Sequence, residues 1–165
     1  MLQPIFTVTS QDETNDFARV IFEPLEKGYG NTLGVSLRRV LLTSIQGCAV
    51  SQVIIDGVQH QFSSLTGMKQ DVVDFILNLK ELHFAITDDS EEVRVKLSAQ
   101  GPYEVTGKDI VLQPNVVLSN PDLFLANLAD KKSKLDVEMV VTKGFGYVSA
   151  SESVEDQPIG TIPVD

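Results

Sequence analysis

Apolar residues between positions 33 and 42 recur at helical spacing on two sides of the chain at once. At about 100° per residue, Leu33, Leu37, Val40 and Leu41 form one stripe, the side a surface helix ordinarily turns toward its own core. Val35, Arg39 and Leu42 stand on the far side at spacings of four and three, so a guanidinium lies between two aliphatic side chains where a monomer would place solvated residues. A helix apolar on two sides needs two partners. The segment 23–44, EPLEKGYGNTLGVSLRRVLLTS, is therefore expected to dock on another chain as well as on its own core. Pro24, Gly28 and Gly30 predict an irregular entry with Asn31 or Thr32 as the cap, and Gly47 predicts the helix stop.

The same pattern returns at 68–80, where Met68, Val72, Phe75, Ile76 and Leu79 predict the core side of a second helix. Opposite them, Val73, Leu77 and Lys80 repeat the aliphatic-plus-cation arrangement. Elsewhere the period is short. Residues 5–9 and 17–22 read as two strands joined by the turn-rich loop SQDETND. AVSQVIIDGVQHQF reads as a hairpin turning at Asp56-Gly57. LHFAI, VRVKL, DIVLQ, NVVLS, LFLANL and LDVEMVV read as further short strands broken by Asp, Ser, Gly and Pro. Two hydrophobic helices among many short strands, with no βαβ regularity, predict an α+β fold.

At 165 residues the chain can bury about 70% of the surface its unfolded form exposes, enough for one domain or two small interlocked ones. Its 42% hydrophobic and 22% charged content is that of a globular protein and argues against disorder. No apolar run approaches the roughly 18 residues needed to cross a bilayer, and the first 14 residues lack a basic n-region and a long apolar segment. The expected location is the cytoplasm, with no membrane partner. A formal net charge of −10 disfavours sequence-independent DNA binding, which depends on Lys and Arg neutralising phosphates.

Candidate chemistry narrows the field further. Gly28-Tyr29-Gly30-Asn31-Thr32-Leu33-Gly34 approaches G-x-G-x-x-G but carries one residue too many before the last glycine, and no P-loop is present. Cys48 is the single cysteine, which excludes an internal disulfide, and its apolar setting reads as packing. His60 and His83 each sit alone in β-like segments and read as structural. The carboxylate pairs Asp88-Asp89, Glu91-Glu92 and Glu155-Asp156 lie in polar stretches where solvent keeps them ionised, whereas acid catalysis usually requires burial. No catalytic residue, metal ligand or cofactor site is expected.

The LGxxLRRVLL helix, the IDGVxHxF segment, the DVxxxILNLK helix, and then GYV and PIG near the end follow one another in an order that resembles the amino-terminal region of the alpha subunit of bacterial DNA-directed RNA polymerase. The resemblance covers nearly the whole chain, loosely in the first dozen residues and over 88–134. It implies a scaffold with no active site of its own, belonging to a nucleotidyltransferase: two copies dimerise and bind the beta and beta-prime subunits. It implies two interlocked subdomains, the first beginning with residues 1–46 and the second, an inserted strand-rich one, spanning 47–165.

Position by position, the resemblance implies beta contacts at Arg39 and Leu42, and beta-prime contacts at Lys80 and Val164 with Asp74 on the same helix as Lys80. It implies a dimer interface that includes Leu33, Leu37, Val40 and Leu41. In the family, a further segment after the PIG motif supplies a second long helix across the dimer interface, and a linker leads to a carboxy-terminal domain that touches promoter DNA. This chain is expected to lack both, and hence direct DNA contact. Phe145 stands where a basic residue is common in the family. From composition alone, a homodimeric interaction module unrelated to polymerase explains the two-faced helices equally well. A small enzyme would need a cleft holding coupled, perturbed residues.

Overall fold

A computed structural model describes residues 5–14, 17–150 and 160–165. The pair Glu155-Asp156, and Pro158 and Ile159 of the PIG motif, lie outside the described residues. The chain divides into two compact units, Met1–Ser44 and Ile45–Asp165.

The first unit holds an antiparallel pair, β1 (Thr7–Gln11) and β2 (Arg19–Glu23), followed by helix α1 (Tyr29–Thr43). Phe6 and Phe22 meet edge to face with ring centroids 5.8 Å apart. The helix begins differently from the sequence expectation. Gly28, at φ 94°, precedes the first turn without any side-chain cap, and Asn31 and Thr32 already lie inside the helix. Only glycine adopts that backbone without penalty. At the other end α1 stops at Thr43, whose hydroxyl donates to the Arg39 carbonyl at 2.7 Å. Gly47 is not the stop, because it already belongs to the next strand.

The second unit contains β3 (Gln46–Ile55), α2 (Val72–Lys80), β4 (Phe84–Ile86), β5 (Glu92–Gln100), β6 (Tyr103–Thr106), a 3-10 turn at Gly107–Asp109, β7 (Ile110–Val111), β8 (Val116–Leu118), β9 (Phe124–Leu128), β10 (Lys134–Phe145) and β11 (Thr161–Pro163). Seven strands form one sheet in the order β7-β5-β10-β3-β4-β8, with β11 also on β3, while β6 and β9 pair separately. An α+β architecture with a strand-rich subdomain is thus what the chain adopts. Strict alternation explains β5, where Val93, Val95, Leu97 and Ala99 face inward and their neighbours face water. In α2, Val72, Phe75, Ile76 and Leu79 are the buried side, at i, i+3, i+4 and i+7. That side packs against β9 and β3. The Asn78 amide donates to the Leu125 carbonyl at 2.9 Å, tying helix to strand.

The expected hairpin at Asp56-Gly57 does not form. A turn is there, with Gly57 at φ 79° and the Val58 N–H donating to the Ile55 carbonyl at 3.1 Å. No strand follows it. Val58 drops into the core, and the chain then runs exposed through His60, Gln61 and Phe62. Over its length β3 is paired by β10 along one edge and by β11 and β4 along the other, so a returning strand would have had to displace one of them. Within β3 the inward residues are Val50, Val53 and Ile55, a slip in the two-residue period. The register against β10 shifts at this point, Gln52 opposing Val140 and Val50 opposing Val141, which leaves Ser51 as the extra residue of a bulge.

His60 and His83 lie exposed in loops, not inside strands as expected: His60 stands between Gln59 and Gln61, and His83 points outward between the buried Leu82 and Phe84. Cys48 is half-buried against the core. Among the described residues, no helix is long and apolar enough to cross a membrane.

Candidate protein interface

The stripe of Leu33, Leu37, Val40 and Leu41 does not reach a core in this chain, contrary to the expectation for a surface helix. Leu33 is half-buried, Leu37 is 42% exposed, and Val40 and Leu41 are 54% and 60% exposed. The physical reason is the shortage of material: two short strands and one helix offer no second layer to cover the stripe. The far side is equally open, with Val35 and Leu42 exposed on either side of Arg39. Among the described residues no ion pair engages Arg38 or Arg39. Among the described residues, helix α1 therefore presents aliphatic surface on two sides and guanidinium donors without an ion-pair partner on one. Contiguous exposed apolar surface of this kind marks an interaction site on a soluble protein.

A second group of residues gathers at the end of α2. The Lys80 ammonium donates to Asp165 Oδ1 at 2.9 Å, and the Tyr147 hydroxyl donates to Asp165 Oδ2 at 2.6 Å. Together these donors, the tyrosine hydroxyl first and the lysine second, hold the Asp165 carboxyl at about 2, well below its ordinary 3.8. The carboxylate is therefore ionised throughout the neutral range. Leu77 stands exposed one turn before Lys80, and Asp74 is exposed on the same helix. Val164, grouped with Lys80 by resemblance, is 5% exposed and belongs to the core. Its N–H donates to the Ser51 carbonyl at 2.9 Å, on the bulge of β3. Val164 thus fixes the strand end that carries Asp165.

The structure brings Lys80 and the stretch 164–165 together although 84 positions separate Lys80 from Val164. It leaves Arg39 and Leu42 on one helix of the first unit. Sequence reasoning missed Tyr147 and Asp165. Tyr147 sits inside the GYV motif and Asp165 lies just after PIG, but nothing in those short strings signals that one side chain will bond the other.

The described carboxylate pairs, Asp88-Asp89 and Glu91-Glu92, are exposed. Asp88 accepts from Asn115 Nδ2 at 2.8 Å and from Ser90, and these bonds, the Asn115 amide foremost, hold its carboxyl below the usual range. This is the opposite of the raised value an acid catalyst needs. Among the described residues, no three His, Cys, Asp or Glu side chains converge as a metal site.

Residues 53–165 match the family described as the RNA polymerase Rpb3/RpoA insert domain. Curated relatives are similar over nearly the whole chain. The protein named DNA-directed RNA polymerase subunit alpha from Symbiobacterium thermophilum is 50% identical over 93% of this chain and 48% of its own length. Proteins of the same name from Alkaliphilus metalliredigens and Acidothermus cellulolyticus are 43% and 48% identical, over 100% and 96% of this chain and 52% and 46% of their own. The chain spans about half the length of the curated relatives it matches. Nothing in these matches supports the reading as an interaction module unrelated to polymerase.

Proposed function

This chain belongs to the RNA polymerase Rpb3/RpoA insert domain family, and we propose that it acts as the assembly portion of an alpha subunit of DNA-directed RNA polymerase, in the cytoplasm. In this reading it contributes no catalytic group. It pairs with a second alpha subunit through Leu33, Leu37, Val40 and Leu41, docks beta through Arg39 and Leu42, and docks beta-prime around Lys80 and Asp74, with Val164 anchoring that surface from beneath.

One observation carries the reading: α1 is a fifteen-residue helix with no buried residue, apolar on two sides, in a chain whose other unit holds the buried core. Burying aliphatic surface at about 25 cal/mol per Å² drives association once a partner covers it. The formal net charge of −10 fits a subunit that meets proteins and leaves the nucleic acid to others.

Replacing Arg39 tests the beta-facing side. Arg39→Ala leaves folding intact, since the side chain is exposed, and weakens beta binding by about 2 kcal/mol or more, the usual cost of removing an interfacial arginine anchor. Recovery of beta at the wild-type level in a quantitative pull-down sinks the assignment. Lys80→Ala instead spares beta and impairs the joining of beta-prime.

A further inference from the structure

The knot of Lys80, Tyr147 and Asp165 joins three separate elements. Lys80 is the last residue of α2, Tyr147 follows the end of β10, and Asp165 follows β11. The two oxygens of one carboxylate are divided between them, Oδ1 to the ammonium and Oδ2 to the phenol. That division fixes the plane of the carboxylate as well as its position.

The backbone beneath is rigid. Ile162 and Val164 are both buried, β11 pairs with β3 through Thr161, Ile162 and Pro163, and the Val164 N–H is bonded to Ser51. Asp165 therefore projects from a strand end that cannot easily move. Lys80, by contrast, has a long, flexible stem that would sample many rotamers if left alone.

We propose that Asp165, steadied by Tyr147, is a positioning residue that holds the Lys80 side chain in the orientation presented to beta-prime. The inference rests on the reading of Lys80 as a beta-prime contact. Restraining a rotamer-rich side chain before binding removes an ordering cost from association itself. It also changes what the partner must offer. Lys80 and Asp165 neutralise one another at 2.9 Å, and Leu77 lies exposed beside them. The facing surface on beta-prime is then expected to combine apolar area with neutral hydrogen-bonding groups, without an acidic strip.

The test uses the full-length subunit, carrying Lys80→Ala, Asp165→Asn, Tyr147→Phe, or the first two combined, with affinities for beta and beta-prime measured separately. Asp165→Asn is expected to weaken beta-prime association by about two- to tenfold, the equivalent of ordering one long side chain on binding, and to leave beta affinity unchanged. Tyr147→Phe produces a smaller loss in the same direction. The double variant binds beta-prime no more weakly than Lys80→Ala alone, because a positioning residue has nothing left to position.

Wild-type beta-prime affinity in Asp165→Asn alongside a weakened Lys80→Ala overturns the positioning role and leaves the Lys80 contact standing. Additive losses in the double variant also overturn it, since Asp165 would then act on its own. Wild-type affinity in Lys80→Ala removes the contact itself, and the positioning role with it. A loss of beta affinity in Asp165→Asn would show a general disturbance of the fold and count against the proposal.

Discussion

The two units of this chain draw on the same residue types and reach opposite outcomes. In Ile45–Asp165, helix α2, the seven-stranded sheet and the β6-β9 pair enclose Phe75, Leu79, Val53, Val95, Leu125 and Met139, each essentially inaccessible to water. In Met1–Ser44, no described residue is buried, although α1 carries four leucines and two valines in its fifteen residues. What differs is the availability of a second layer. A helix stripe contributes stability only when something lies against it, and a two-stranded ribbon is marginal in water. The uncovered unit is where interaction surface is expected, and the covered unit holds Lys80 on a firm base.

Separating the units should produce the largest effect. A fragment spanning 45–165 is expected to unfold in one cooperative transition, while a fragment spanning 1–44 shows none, being near the size at which a domain needs outside help. Circular dichroism of both on heating checks this, and a cooperative melt of the 44-residue fragment would break the comparison. Next in size are matched core and surface truncations. Phe75→Ala should destabilise the second unit by about 3–5 kcal/mol, whereas Leu41→Ala should stay within about 0.5 kcal/mol in the isolated chain and show its effect on self-association. Denaturant titration measures the first and sedimentation the second.

The smallest effect is electrostatic. The Asp165 carboxyl is depressed to about 2 from 3.8. Its contribution is therefore fully present above the higher value and lost as the pH falls through the lower one. With 38% of the side chain exposed, solvent screening holds that contribution below about 1 kcal/mol. Carboxyl chemical shifts followed from pH 5 to pH 1.5 should give a midpoint near 2, moving up toward 3.8 in Tyr147→Phe. An unmoved midpoint would show that the phenol does not hold the carboxylate.

Much of the fold was legible because local periodicity and tertiary burial agree. The stripe of Val72, Phe75, Ile76 and Leu79 and the alternation of Val93, Val95 and Leu97 each describe a face, and each face is buried. The failures share a cause. Asp56-Gly57 has hairpin chemistry, but whether a strand returns depends on whether an edge of β3 is vacant, and β10, β4 and β11 occupy both edges. The strands β6 and β11 went unread because neither carries an apolar run: β6 is YEVT, and β11 is TIP, closing on a proline. The second apolar sides of both helices, Val35, Arg39 and Leu42 on one and Val73, Leu77 and Lys80 on the other, were visible in the period, while the choice of Arg39, Leu42 and Lys80 as contacts came from the family resemblance.

The sequence by itself determined which residues are apolar, at what period, and hence where helices and strands form and which helix has one side too many. Periodicity is a local property, set by backbone geometry within a few residues. Only the tertiary structure decided that the stripe on α1 stays uncovered, that Ser51 absorbs a slip in β3, that Val164 goes inward, and that Asp165 meets Lys80 and Tyr147. Those outcomes depend on partners between 18 and 113 positions away, from Tyr147 with Asp165 to Ser51 with Val164, and no local pattern encodes a distance through space.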